Sequence, residues 1–219
     1  MNKAYKTLFF DLDGTLLDTS KDLQKALHVV QSEYQCPLSD LETTQSFMGH
    51  GIQSLVYESL KERTEKDKEE AFLLFQKSYH HFYKQDSKPY LGIVELLKQL
   101  KDKGYQLAVI SNKLDIYTQE LITINFGSTF FDYVCGAKED VLKKPAKDML
   151  VNALNTLHEE VSNCLYIGDT EVDVEFAKNM NMDVMVVGWG YRDFEGLKAL
   201  DPDYACETVA DCLKTLACV

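Results

Sequence analysis

The sequence predicts an α/β protein: a Rossmann-like, doubly wound parallel sheet core with an inserted all-helical cap domain. Three observations carry that prediction. Short apolar runs of strand length recur along the chain, segments with apolar residues three and four apart separate them, and one long early stretch interrupts the alternation with helical pattern alone.

The strand candidates are residues 7–10, 107–110, 133–135, 164–167 and 184–187. Each is almost wholly apolar, as a strand covered on both faces of a parallel sheet must be. Between them, residues 93–103, 115–125, 146–157 and 172–181 have the spacing of amphipathic helices, each with one stripe to lay on the sheet. From about residue 18 to 87 no strand is expected; helices are predicted at 21–34, 51–63 and 67–84. The charged run at 61–70 reads as a solvated helix junction. With no Gly/Ser-rich tether in sight, the inserted unit should pack closely on the core. The predicted division is a core of residues 1–16 and 89–219 with a cap of residues 17–88.

Composition narrows the function classes. The 219 residues carry 23 Lys+Arg against 35 Asp+Glu, a net charge of −12, which argues against nucleic acid or an anionic membrane surface as a partner. An anionic substrate would need a local source of positive charge. The six cysteines form no CxxC pair and no zinc-ligand spacing, so they read as small buried thiols in a reducing cytoplasm. Residues 1–10 hold two lysines and only a short apolar run, unlike a secretory signal, and no stretch reaches the length of a membrane span.

The candidate chemistry begins at Phe9-Phe10-Asp11-Leu12-Asp13-Gly14-Thr15-Leu16, an apolar strand that runs straight into two carboxylates and a glycine. Open parallel sheets bind ligands beyond the carboxyl ends of their strands, so Asp11 and Asp13 fall where a ligand would sit. Leu12 separates them, leaving one acid to face a phosphate and the other beside it with a backbone carbonyl for a cation. Gly14 permits a close turn in which successive N–H groups, including that of Thr15, form an anion-binding nest. In isolation the same residues are also a turn whose aspartates cap a helix.

A second strand ends at Ser111-Asn112-Lys113. Ser111 is placed to hydrogen-bond a phosphoryl oxygen with the Asn112 N–H beside it, and equally to cap a helix. In Lys143-Lys144-Pro145 the proline fixes the backbone after a cation, which would hold Lys144 toward the site; a solvated surface lysine is the ordinary alternative. Finally, Leu165-Tyr166-Ile167-Gly168-Asp169-Thr170-Glu171-Val172-Asp173 is a strand followed by acids four residues apart. Asp169 and Asp173 can lie on one side of the loop entering a helix, where acids also complement the helix dipole.

In this order the four elements resemble the haloacid dehalogenase superfamily of phosphohydrolases, which carries a nucleophile Asp motif, a Ser/Thr motif, a Lys motif and an acidic metal motif. The resemblance spans essentially the whole chain, and the helical insertion resembles that family's cap. Phe47-Met48-Gly49-His50-Gly51, Ser111-Asn112-Lys113, Trp189-Gly190-Tyr191 and Pro202-Asp203-Tyr204 are further similar to phosphoglycolate phosphatases. Two positions depart from the pattern without removing a catalytic group: Lys147 stands where a second proline is usual, and Thr170 where the metal motif usually has serine.

The resemblance implies that Asp11 attacks phosphorus, that Asp13 acts as acid and base, and that Lys144 and Ser111 bind the transferring oxygens. It implies Mg²⁺ as cofactor, held by Asp11, the Asp13 carbonyl and Asp169, with Asp173 supporting that shell. His50, between two glycines of the cap, either contacts substrate or is a polar loop residue. The implied substrate is a small phosphorylated metabolite, 2-phosphoglycolate first, with a pyrophosphatase, a nucleotidase and a sugar-phosphate phosphatase or phosphomutase as alternatives. A silent phosphate- or metal-binding module is the non-enzyme alternative.

Overall fold

The structure, a computed structural model, describes residues 5–218. Met1–Ala4, the start of the segment read against a secretory signal, and Val219 lie outside the described residues, as do the side chains of Ala217 and Cys218.

The elements in chain order are β1 (Thr7–Phe10), β2 (Leu17–Asp18), α1 (Ser20–Glu33), α2 (Leu41–Ser46), α3 (Ile52–Ser59), α4 (Glu65–Phe82) and β3 (Lys88–Pro89). There follow α5 (Ile93–Asp102), β4 (Gln106–Leu114), α6 (Asp115–Phe126), β5 (Tyr133–Ala137), α7 (Asp148–Leu157), β6 (Cys164–Gly168) and α8 (Glu171–Lys178). The chain closes with β7 (Asp183–Val187), α9 (Phe194–Lys198), β8 (Tyr204–Cys206) and α10 (Val209–Cys218).

Six strands form one sheet in the order β5-β4-β1-β6-β7-β8, and every pairing in it is parallel. The chain builds outward from β1 in both directions, so the topological switch lies at β1, between β4 and β6, where such sheets open a crevice. Alternate residues point to opposite faces, as the two-residue period of a strand requires. Leu8, Phe10, Val109 and Ile167 enter one apolar cluster with Leu96 and Leu100 of α5. Phe9, Ala108, Ile110 and Tyr166 enter a second, with Met149 and Leu150 of α7 and Phe176 of α8. Helices therefore cover both faces, and the doubly wound prediction holds.

The helical run α1–α4 leaves and re-enters the sheet domain through a two-residue antiparallel pair, Leu17–Asp18 of β2 against Lys88–Pro89 of β3. Asp22, fully buried in α1, accepts from the Asp86 N–H and from the Ser87 N–H and hydroxyl at 2.8–3.0 Å, which pins the returning chain to the departing helix. Ala26, Leu27 and Val30 of α1 with Ala71, Phe75 and Tyr79 of α4 join the first apolar cluster, so the insertion packs on the core without a tether.

Three differences from the sequence reading have local causes. The strand expected to stop at residue 110 runs on to Leu114 through an irregularity after Ile110, which carries Ser111, Asn112 and Lys113 along the sheet edge of the crevice. The short β2, β3 and β8 are two or three residues long, below the length at which a period can be seen. The helix predicted at 51–63 ends at Ser59, and that at 67–84 begins earlier, at Glu65, because Thr64 and Asp67 form a capping box.

Candidate active site

β1 ends by donating the Asp11 N–H to Ile167 O at 2.9 Å, extending the ladder with β6 by one residue and placing Asp11 at the switch point. Its carboxylate accepts from the Leu12 N–H at 2.7 Å and lies 3.0 Å from Lys144 Nζ. Leu12 is fully buried, so Asp13 is turned elsewhere: its two oxygens take Lys113 Nζ at 2.9 and 3.1 Å and the Thr19 hydroxyl at 2.6 Å.

Lys144, in the turn before α7, is buried and reaches three partners: Asp173 at 2.7 Å, the Tyr166 hydroxyl at 2.9 Å and Asp11 at 3.0 Å. Burial works against its charge, yet the facing carboxylates of Asp11 and Asp173 outweigh it and hold the ammonium well above the ordinary lysine range. Asp173 is the third residue of α8; its other oxygen accepts from the N–H and hydroxyl of Thr170, closing a capping box. Asp169 is fully buried between the Thr15 hydroxyl at 2.9 Å and the Tyr191 N–H at 2.8 Å.

Ligand oxygens of Asp11, Asp169 and Asp173 thus lie within 4.8 Å of one another. Burial, with Asp173 and Asp13 nearby, pushes the Asp11 carboxyl up to about 7 against the pull of Lys144. Burial and the charges of Asp173 and Asp11 likewise hold Asp169 well above the ordinary carboxylate range. Of these three buried carboxylates, Asp11 and Asp173 face the Lys144 ammonium and Asp169 does not. An all-oxygen set with excess negative charge suits a hard divalent cation, which would supply the missing charge.

The remaining candidate residues take part in bonds of their own. The Gly14 N–H donates to Leu17 O at 2.9 Å and is not available to an anion, so the nest has lost that donor. What Gly14 supplies is clearance: at φ +88° it lies under Asp169, whose carboxylate would stand 2.1 Å from an added Cβ. Thr15, whose N–H was expected in the nest, also orients Asp169 through its hydroxyl. His50 is half exposed and faces Glu171 at 3.5 Å; its glycine neighbours, not its imidazole, line the cavity over Asp11. Ser111 does line that cavity, beside Asp11 and Asp13. Asn112 acts through its side chain, whose amide donates to Gly49 O at 3.1 Å and to Lys144 O at 3.0 Å, tying the helical insertion to the lysine turn.

Two residues escaped the sequence reading. Arg192 pairs with Glu171 at 2.8 Å and donates to the carbonyls of Gln45 at 3.0 Å and Met48 at 2.5 Å, clasping the loop before α3. Its only signal was its place after Trp189-Gly190-Tyr191. Lys113 stood in plain view in Ser111-Asn112-Lys113, but its contact with Asp13, 100 residues away, is a product of the fold.

A family model of haloacid dehalogenase-like hydrolases matches residues 8–187. The chain belongs to that family. Among its haloacid dehalogenase-like relatives, the phosphoglycolate phosphatase of Aquifex aeolicus is 32% identical over 211 residues, 96% of each chain. A pyrophosphatase of Halalkalibacterium halodurans is 26% identical, covering 94% of each. A solved structure from Lactobacillus delbrueckii subsp. bulgaricus superposes with a TM-score of 0.92 at 29% identity, covering 97% of this chain and 98% of that one. A haloacid dehalogenase-like hydrolase of Streptococcus pneumoniae gives 0.88 at 25%, covering 96% and 98%.

As a haloacid dehalogenase-like hydrolase with these relatives, the chain is a phosphoric monoester hydrolase of a family that uses a divalent metal. Among the described residues no helix is long and apolar enough to cross a membrane. One prediction follows from how the family's acidic motif is seated here. A Cβ at Gly190 would stand 2.3 Å from the Asp169 Cβ, so Gly190→Ala must displace that acid. Isothermal titration with Mg²⁺ is expected to show affinity reduced about tenfold or more, as for other residues that orient a ligand; unaltered affinity would mean that Asp169 does not hold the metal.

Proposed function

We propose that this chain is a Mg²⁺-dependent phosphatase of short phosphomonoesters that works through an aspartyl-phosphate on Asp11, with 2-phosphoglycolate as the first substrate to test. The observation that carries the proposal is the placement of Asp11. Its buried carboxylate stands at the switch point, 3.0 Å from Lys144 and grouped with Asp169 and Asp173, on the floor of a cavity roofed by the helical insertion.

In this reading Asp11 attacks phosphorus and the alkoxide departs with a proton from Asp13. Asp13 then takes a proton from the water that cleaves the aspartyl-phosphate, so inorganic phosphate leaves and both acids return to their starting state. Lys144 and Ser111 receive the transferring oxygens. Asp11, the Asp13 carbonyl and Asp169 would hold Mg²⁺, which when bound offsets the negative charge of the site and of the phosphate. Asp173 holds Lys144 in place at 2.7 Å.

Residues 17–88 are proposed as the cap domain and residues 1–16 with 89–219 as the core. Met48, Ile52 and Leu55 from the insertion give the cavity an apolar roof. A cavity roofed by the insertion suits a small metabolite such as 2-phosphoglycolate better than a phosphoprotein or a nucleic acid. The phosphoglycolate phosphatase relative supports the same substrate. A reducing, cytoplasmic setting is proposed with it, since Cys36, Cys135, Cys164, Cys206 and Cys212 are all free thiols.

The test is a screen of phosphorylated metabolites ranked by kcat/KM. The narrow assignment fails if 2-phosphoglycolate ranks far below pyrophosphate, a nucleotide or a hexose phosphate. Activity is expected to vanish on exhaustive chelation and to return with Mg²⁺ but poorly with Ca²⁺, whose looser shell of six to eight ligands misplaces the phosphate. Full turnover in the chelated enzyme would refute the metal's part.

A further inference from the structure

We propose that Lys113 sets substrate choice by receiving a carboxylate carried on the leaving alcohol, so that the preferred substrate is the phosphate ester of a short hydroxy acid. This rests on the phosphatase reading above and adds the residue that recognises the non-reacting end of the substrate.

Lys113 is 3% exposed, yet it lies on the wall of the cavity over Asp11 and is, among the described residues, the one basic side chain lining it. Lys144 is engaged below, on Asp11 and Asp173. The two ammonium groups therefore have separate partners: Lys144 beneath Asp11 at the phosphorus end, and Lys113 on the cavity wall beside Asp13, at the end where the alcohol must sit. Leu23, Met48, Ile52 and Leu55 complete the wall on the insertion's side and give a second anion no other charge to meet. A single aromatic ring, that of Tyr79, lies 5.0 Å from the Lys113 ammonium.

In this structure the counter-charge of Lys113 is Asp13, at 2.9 and 3.1 Å. Asp13 is also the group that must reach the oxygen leaving phosphorus. When it turns to that oxygen, a buried ammonium loses part of its partner, and an unpaired charge in a dry site is strongly disfavoured. In the phosphate ester of a 2-hydroxy acid the carboxylate sits on the carbon that bears the leaving oxygen. It therefore arrives beside the acid that protonates that oxygen, within reach of the ammonium already bonded to that acid. A neutral alcohol of the same length brings no replacement charge.

The experiment compares kcat/KM for 2-phosphoglycolate and for 2-hydroxyethyl phosphate, which differ by a carboxylate against a hydroxymethyl group, in the Mg²⁺-loaded wild type and in Lys113→Met. The wild type is expected to prefer the acid by about a hundredfold, the scale at which a buried polar partner rejects an analogue lacking it. In Lys113→Met both esters lose rate through the altered Asp13, but the ratio between them should collapse to within about threefold, with the extra loss on the acid appearing in KM. Lys113→Gln keeps a donor for Asp13 without the charge, and should give the same collapse if the methionine variant fails to fold. Lys113→Arg should restore part of the ratio.

A ratio unchanged between wild type and variant would overturn the inference, leaving Lys113 as a partner of Asp13 alone while the phosphatase reading stands. A wild type that turns over both esters equally well would also overturn it, and with it the preference for phosphoglycolate, though not the phosphatase. Absence of metal-dependent turnover of either ester and of p-nitrophenyl phosphate would instead defeat the underlying reading.

Discussion

Asp11→Asn is expected to lower turnover of any accepted phosphomonoester by about 10⁴-fold or more, since removing a nucleophile that works with its neighbours as a unit removes most of the catalysis. The amide keeps the shape of the side chain and can still accept the Leu12 N–H that lies 2.7 Å from the carboxylate. It has no negative charge to bring to phosphorus. Lys144 retains Asp173 at 2.7 Å and the Tyr166 hydroxyl at 2.9 Å, so the fold should survive and the melting temperature should change by only a few degrees. The checks are steady-state kinetics, thermal melting and intact mass, the last to exclude reversion by deamidation. Residual activity above about a hundredth of wild type in a verified amide would remove Asp11 from the covalent role, because such a loss is too small for a missing nucleophile.

How far the site could be read in the sequence depended on whether a residue acts through its own strand or through a distant one. Asp11 and Asp169 each follow an apolar strand directly, so the sheet's topology alone delivers both to the switch point. Lys144 and Asp173 were legible by type and order, but their direct pairing, with Tyr166 as a third partner, belongs to the packed structure. Gly14 was legible as a special position that lets the chain turn closely. Its torsion was visible in the glycine, whereas the closeness of Asp169, 155 residues on, was not. Lys113 and Asp13 show the same limit, and so does Arg192, whose grip on Gln45 and Met48 joins segments more than 140 residues apart. The apolar strand run read at residues 107–110 continues as strand through Ser111-Asn112-Lys113 because polar residues at the edge of a crevice can stay in the strand while their side chains serve the site.

Lys144→Met should produce the largest combined effect on stability and rate. Methionine preserves most of the buried apolar stem and removes the ammonium that, among the described residues, alone contacts both Asp11 and Asp173. Breaking a buried pair from one side typically costs about 3–5 kcal/mol. For a chain of this size that corresponds to a melting point lower by roughly 6–20 °C in metal-free buffer. The sign of the metal response provides the sharper test. With the lysine gone, Asp11, Asp169 and Asp173, within 4.8 Å of one another, are left with more uncompensated negative charge, so Mg²⁺ should raise the melting point of the variant by more than it raises that of the wild type. Metal can restore charge to the cluster but cannot take the ammonium's place on the transferring oxygens, and kcat should remain about 10²–10³ below wild type at saturating Mg²⁺. Thermal melts with and without Mg²⁺, paired with kcat at saturation, separate these effects. A variant that melts with the wild type in metal-free buffer and shows no greater response to Mg²⁺ would mean that the carboxylates do not depend on Lys144 for their charge balance.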